Sequence, residues 1–489
     1  MRIRLFIILI VFVITFSFCD KNQTPENYRG PLRDLTEIRQ SGKLIALTDF
    51  NSTNYFVYKG EPMGFNYELL QSFANHLGLE LEIVSENNLD NALEMLNSGK
   101  VDLMAIGLTV NSVNMKDIKF TVPIYETRQV LVQRKPRNWR SMTLDNIDKG
   151  IIRNQLDLAG KAVFVQKSSS YALRLKNLGN EMGDPINIVE VPNESEELIS
   201  LVANGEIDYT VADENIALVN SSYFPILDVS TPVSFSQNLA WGLRKQHSAG
   251  LLNEINVWIN TNKESDSYSL LYDKYFKNQR SNTIIKSDYY ALNTGKISQW
   301  DDLIKQYSDS LDWDWLLLAS LICQESRFSA DVVSASGAYG LMQIMPATGK
   351  LLGIDVTSSP ENNVRAGVSY IKWLQNFFKE IPDVSEKVKF VLASYNAGYG
   401  HIIDARELAK KNGKNPDIWN DNVDLFLIKK ADPVYYNDPV VKFGFYKGER
   451  SVNYVSEILE RYEHYKNIIP QYQLSLSSVP QLIREGSLR

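Results

Sequence analysis

The sequence is poor in the residues that build metal and disulfide frameworks. It holds two cysteines, Cys19 and Cys323, and four histidines, His76, His247, His401 and His464. One cysteine pair at most could form, which excludes a disulfide scaffold. No histidine stands beside a second ligand at metal spacing, so neither a metal site nor a cofactor is expected. Positive charge is short as well. Against 58 acidic residues there are 51 basic ones, a net charge of −7, and no basic field to hold nucleic acid. The apolar run Leu5–Phe18 covers 14 residues, short of the roughly 20 that cross a bilayer. What is present is ordinary: 489 residues, 44% hydrophobic and 22% charged, the balance of a globular protein. At about 150 residues per domain the length allows about three domains, or two large ones.

Arg2 and Arg4 precede the apolar run and Asp20-Lys21-Asn22 follow it, the layout of an export signal over residues 1–19. Cys19, at the end of the run, resembles the acceptor cysteine of bacterial lipoproteins. That resemblance implies a lipid anchor in a membrane, with the protein on the periplasmic side of the envelope at the outer membrane. A plain secretory signal is the alternative. Losing Arg2 and Arg4 with the leader takes the net charge from −7 to −9.

Residues 32–277 alternate strand and helix patterns. Leu44-Ile45-Ala46-Leu47 reads as a strand, Tyr67–His76 as a helix capped by Gly78, and Leu79–Ile83 as a second strand. Such alternation predicts an open α/β sheet. One unit recurs: Leu96-Asn97-Ser98-Gly99-Lys100-Val101-Asp102 is echoed 106 residues later by Val202-Ala203-Asn204-Gly205-Glu206-Ile207-Asp208. Each reads as helix end, glycine cap and strand entry, which predicts two similar lobes around a cleft.

This segment resembles the periplasmic solute-binding proteins for polar amino acids. The likeness rests on Gly64-Phe65 with Glu68-Leu69, Ser98–Leu103, Gly107-Leu108-Thr109, Phe120–Tyr125, Leu158–Lys161 and Lys274-Tyr275-Phe276. It implies a cleft ligand contacted by Thr109, by the loop Ser168-Ser169-Ser170, and by Asp213 near the family's amine-binding acid. The alternatives are a helix N-cap for Ser169 and an exposed loop position for Asp213. Where the family carries an arginine that clamps the ligand's carboxylate, spacing gives this chain Asn114, or a neighbour such as Met115. Asparagine supplies no charge for a bidentate pair. Cell-wall fragments, muropeptides, therefore replace free amino acids as the expected effector.

Residues 278–299 open with the polar, aperiodic Asn278–Thr283 and are expected to be a linker. From 300 to 467 helical patterning returns. Leu318, Leu321 and Ile322 share one stripe with Glu325. A carboxylate on a core-facing stripe is either paired or held neutral with a raised pKa, as a general acid at neutral pH requires. No lysine lies within one turn of it. A buried structural glutamate is the alternative. Two further blocks follow, Ser336-Gly337-Ala338-Tyr339-Gly340-Leu341-Met342-Gln343-Ile344-Met345-Pro346 and Ala393-Ser394-Tyr395-Asn396-Ala397-Gly398.

Together with Glu325-Ser326, these blocks resemble the soluble-lytic-transglycosylase catalytic domain, a mainly α, lysozyme-like fold. The expected architecture is thus an α/β two-lobed periplasmic-binding-protein-like domain followed by that helical domain. The resemblance implies an enzyme that cuts peptidoglycan glycan strands. Glu325 would be the sole acid and base, and the product would be a 1,6-anhydro end. Hydrolytic glycosidases normally need two carboxylates; Asp331 and Glu361 are the nearest candidates for a second. Tyr395 is expected to hydrogen-bond Glu325. Ser326, Met342, Gln343 and Asn396 are expected to line the sugar groove, and Tyr454 matches the family's late tyrosine there. Cys323 is expected to be a buried small hydrophobe. A lysozyme-type hydrolase and an inert wall-binding sensor remain as alternatives. Gly398-Tyr399-Gly400-His401 lacks the lysine and the preceding strand of a phosphate loop. The tail 468–489, with Pro470 and Pro480, is expected to be mobile.

Overall fold

The computed structural model describes residues 31–110, 116–277, 283–284 and 286–486, with side chains through 469. Cys19 and Asn114 lie outside the described residues. In the first lobe β1 (Lys43–Thr48) pairs in parallel with β4 (Glu80–Ser85) and β5 (Leu103–Thr109). A small hairpin, β2 (Phe56–Tyr58) and β3 (Glu61–Met63), projects from this lobe. β13 (Gln237–Arg244) returns antiparallel along β5, β6 (Ile118–Phe120) and β7 (Tyr125–Thr127). The second lobe is a five-stranded sheet, β10 (Asn187–Val191), β9 (Ala162–Gln166), β11 (Tyr209–Asp213), β8 (Gln129–Arg134) and β12 (Leu227–Pro232). The chain therefore crosses between lobes twice, from β7 to β8 and from β12 to β13. A double crossing is the connection expected of a hinge.

The repeated unit has the same structure in both lobes. The helices Leu89–Asn97 and Ser195–Asn204 are followed by left-handed glycines, Gly99 just past the cap Ser98 and Gly205 at the cap itself, with φ angles of 81° and 85°. An arginine then seals each turn. Arg244 donates to the Leu96 and Val101 carbonyls at 3.4 and 2.5 Å, and Arg134 donates to those of Val202 and Ile207 at 2.7 and 2.5 Å. The carbonyls correspond across the 106-residue offset, so equivalent backbone acceptors are satisfied equivalently.

The helical domain is built around the helix Trp315–Ser326, capped by Asp314 and buried from Leu316 to Cys323. The helix Glu449–Gly486 runs antiparallel along it. Tyr454 meets Glu325 at one end of the pair, and Tyr462 donates to Asp314 at the other, 3.0 Å away. Lobe 1 and this domain share one hydrophobic core, whereas lobe 2 has two clusters of its own. The shared seam is polar as well as apolar. The Tyr465 hydroxyl donates to the Gly60 carbonyl at 2.8 Å, Tyr55 hydrogen-bonds His464 at 2.7 Å, and Asn467 donates to the Ile83 carbonyl at 2.8 Å. Gly60, in the hairpin turn, sits at φ 80°; a Cβ there would lie 2.5 Å from Phe328 and 3.0 Å from the Cys323 sulfur. Only glycine fits so tight an approach at that backbone angle.

Two sequence expectations are corrected here. Residues 278–299 are not linker throughout, because Tyr290, Ala291 and Ile297 are buried in the shared core. The Tyr289 carbonyl also accepts from Lys59 in the hairpin turn, at 3.1 Å. The segment from 468 begins as a continuation of the packed helix. The backbone stays helical to Gly486, and Ile468 and Ile469 are buried.

Candidate active site

Glu325 occupies the last turn of the Trp315–Ser326 helix. The chain then reverses through Arg327 and Phe328, which take left-handed φ angles of 50° and 63°. That reversal leaves the Glu325 carboxyl at the rim of the domain rather than within the helix stack. Burial pushes its pKa up to about 7, against the smaller opposing effects of a Tyr454 hydrogen bond and the Arg450 charge. The Tyr454 hydroxyl donates to Glu325 Oε1. A carboxyl poised near neutrality can both give and take a proton at physiological pH.

The loop 336–345 closes over this turn, held by a residue that sequence patterning did not single out. Asn363, fully buried on the helix Pro360–Phe377, accepts from the Met342 amide at 2.8 Å and donates to the Tyr339 carbonyl at 2.7 Å. Gly340 makes that approach possible: at φ 77° its Cβ would sit 2.6 Å from the Asn363 amide. The Ser326 hydroxyl ties the catalytic helix to the same loop through the Leu341 carbonyl at 2.8 Å. The Gln343 amide group is turned inward, donating to the Val332 and Gly340 carbonyls at 3.1 and 2.9 Å. Asn396 is exposed, and its carbonyl oxygen accepts from Ser451 at 2.6 Å.

Two expected roles change. Tyr395 does not hydrogen-bond Glu325; its hydroxyl donates to the Met342 carbonyl at 2.7 Å, and Tyr454 takes the place beside the acid. Spacing could not distinguish them, because the two tyrosines reach the site from different helices. Met342 does not line the groove, being wholly buried against Gly367. Cys323 is buried and makes no disulfide, with its thiol pushed up to about 11 by burial. Asp331 is exposed, and Glu361 faces the Tyr307 hydroxyl at 3.4 Å. Neither appears among the groups that act on Glu325.

An aromatic surface leads away from the acid. Tyr395 packs on Tyr370 at 5.6 Å, Tyr370 stacks on Trp373 at 6.0 Å, and Trp373 meets Tyr399 at 5.2 Å. Trp373 and Tyr399 are partly exposed, so their faces can receive sugar rings. Behind it, buried Lys430 pairs with buried Asp404 at 2.6 Å. Asp404 also accepts the amides of Lys442 and Phe443, at 2.8 and 2.9 Å. This knot anchors the loop leading to Arg450 and Tyr454.

In the two-lobed half, Thr109 and Ser169 border a cleft together with Asp213. Asp213 ends β11 and is buried, not exposed on a loop; burial pushes its pKa up to about 7. Ser169 stands at a helix N-cap position, yet its side chain makes no capping bond. Thr109 meets Ser170 across the lobes at 3.1 Å. Among the described residues no cluster could hold a metal ion.

The family described as "Transglycosylase SLT domain" matches residues 302–418, and "Bacterial extracellular solute-binding proteins, family 3" matches residues 43–278. A "Membrane-bound lytic murein transglycosylase F" of Desulfosudis oleivorans is 33% identical over 440 residues, covering 89% of this chain and 93% of its own length. One of the same description from Pseudoalteromonas translucida is 31% identical over 465 residues, covering 94% of this chain and 92% of its own. Among solved structures, an ancestral arginine-binding protein bound to arginine matches 48% of this chain and 98% of its own, at 25% identity and a TM-score of 0.41.

Proposed function

Since the chain belongs to the family of membrane-bound lytic murein transglycosylases F, and so is a peptidoglycan lytic transglycosylase, we propose that Glu325 performs both proton transfers of the cut. Protonated Glu325 gives its proton to the oxygen joining N-acetylmuramic acid to N-acetylglucosamine, breaking the β-1,4 bond. The carboxylate then takes the proton of the muramic 6-hydroxyl as that oxygen attacks its own C1. The glucosamine chain leaves with the first proton, and the muramic end closes as a 1,6-anhydro ring. No water enters, and the carboxyl ends as it began. The observation that carries this reading is a lone acid, pushed up to about 7, on which only Tyr454 and Arg450 act besides burial. A hydrolase would need a second carboxylate to handle water or to form a glycosyl-enzyme. Here the nucleophile belongs to the substrate and arrives at high effective concentration.

In this reading Tyr454 and Arg450 set the acid, Asn363 and Ser326 position its loop, and Trp373 and Tyr399 receive sugar. Asn396 and Gln343 border the groove. Digesting purified cell walls and weighing the products tests the reaction. Products ending in 1,6-anhydromuramic acid support it; reducing ends identify a lysozyme instead.

The two lobes are read as a sensor of cell-wall fragments acting on the catalytic half. What supports this is the shared core, which ties lobe 1 to the catalytic helix while lobe 2 keeps its own clusters. Movement of lobe 2 against lobe 1 would thus be felt two residues from Glu325, where Cys323 lies 3.8 Å from the Gly60 carbonyl. The reading also takes residues 1–19 as an export signal and Cys19 as a lipid anchor that holds the enzyme on the periplasmic face of the outer membrane. Among the described residues no helix is long and apolar enough to cross a membrane.

A further inference from the structure

The cleft between the lobes holds a cavity of about 100 Å³. Among the described residues four that line it are acidic, Asp49, Asp117, Glu194 and Asp213, and none is lysine, arginine or histidine. The hydrogen-bond partners of the inner acids are all neutral. Asp49 accepts from Asn51 at 2.7 Å and from Asn54 at 2.9 Å. Glu194 accepts the amides of Glu196 and Glu197, at 2.9 and 3.3 Å. Asp213 is bonded by Tyr171. The carboxyls also disfavour one another's charge, Asp49 acting on both Glu194 and Asp213.

Two further polar atoms of the lining have no partner among the described residues. Asn54 Oδ1 and Ser169 Oγ are buried without a hydrogen bond, and their residues are 3% and 8% exposed. Asn54 Oδ1 is an acceptor, and Ser169 Oγ can accept as well as donate. Buried carboxylates and unmet acceptors are costly when left alone. A bound ammonium group, with three donors and a positive charge, would satisfy them together. A carboxylate beside that ammonium, as in every free amino acid, would meet four acids and no base. The cleft shares Asn51, Asn87 and Glu194 with a second, more open hollow of about 500 Å³, which extends the space next to it.

Resting on the sensor reading above, we propose that the cleft binds a ligand through an ammonium group that has no free carboxylate next to it, held between Asp49, Glu194 and Asp213. The class includes diamines and amino groups whose neighbouring carboxyl is amidated or peptide-bonded.

Calorimetric titration of the full chain with 1,5-diaminopentane, L-lysinamide, L-lysine and a disaccharide-tetrapeptide muropeptide tests this. Diaminopentane and lysinamide should bind, and lysine should bind at least about tenfold more weakly than its amide. Asp213→Asn and Asp49→Asn should each weaken the cations by about tenfold or more, with melting curves confirming that both variants are folded. Equal binding of lysine and lysinamide overturns the proposal, as does failure of both amines to bind. Muropeptide binding without amine binding would overturn the ligand class and leave the sensor reading standing. Lysine as the tightest ligand, with no response to muropeptide, would overturn both.

Discussion

Replacing Tyr454 by phenylalanine removes one hydroxyl, the donor to Glu325 Oε1, and leaves the ring in place. That bond favours the charged carboxylate and works against the burial that raises the acid to about 7. A hydrogen bond to a charged acceptor contributes about 1.5–3 kcal/mol. At about 1.36 kcal/mol per pH unit, its loss should carry the alkaline limb of kcat/KM upward by about one to two pH units. The assay is release of anhydro-ended products from cell walls across pH 5 to about 10. Tyr395→Phe is the matched control, since its hydroxyl donates to the Met342 carbonyl and not to the acid. Its limb should stay in place even where overall activity drops. A Tyr454→Phe profile with an unmoved limb, or an equal movement in both variants, would refute the assignment of Tyr454 as the group that tunes Glu325.

Glu325→Gln should cut turnover by roughly 10²–10⁴-fold, the usual range for a lost general acid, while the chain stays folded. The folded pKa of about 7 lies above the ordinary 4.5, so ionisation of Glu325 opposes folding as pH rises between them. The variant should therefore be the more stable at pH 8, by up to about 3 kcal/mol, and no more stable at pH 4. Melts at the two pH values check the sign. Lys430→Met should cost about 3–5 kcal/mol, because it strands the buried Asp404 carboxylate without its charge partner. A denaturant titration losing less than about 1 kcal/mol would show that the pair is not holding the loop. Gly60→Ala should loosen the hairpin from the catalytic helix, at about 1–3 kcal/mol, since its Cβ would overlap Phe328 and Tyr465. Separate melting of the two halves, against a single transition expected for the native chain with its shared core, is the expected trace.

Much of the molecule was legible in the order of residues alone. Period and glycine placement are local, so the 106-residue repeat predicted two lobes, and Gly99 and Gly205 turn the chain in left-handed conformation after matching helices. Glu325 was marked by chemistry: a carboxylate on a stripe with Leu318, Leu321 and Ile322 is costly unless it is used. What the order of residues could not decide was which groups meet across elements. Tyr395 stands in a conspicuous motif block and Tyr454 matched only the family's late groove tyrosine, yet packing of the Glu449–Gly486 helix against Trp315–Ser326 delivers Tyr454 to the acid. Met342 belongs to a motif block because it fills space against Gly367, not because it touches sugar. Asn363 carries no local signal; its role exists only once Gly340 comes within reach. The same holds between the halves. Hydrophobic patterning placed a boundary near residue 278, while burial of Tyr290, Ile297, Ile468 and Ile469 joins lobe 1 to the catalytic helix. Local sequence sets backbone conformation and which residues prefer to be buried. Partner choice is settled by tertiary packing, where distant side chains compete for the same space and the same unmet hydrogen bonds.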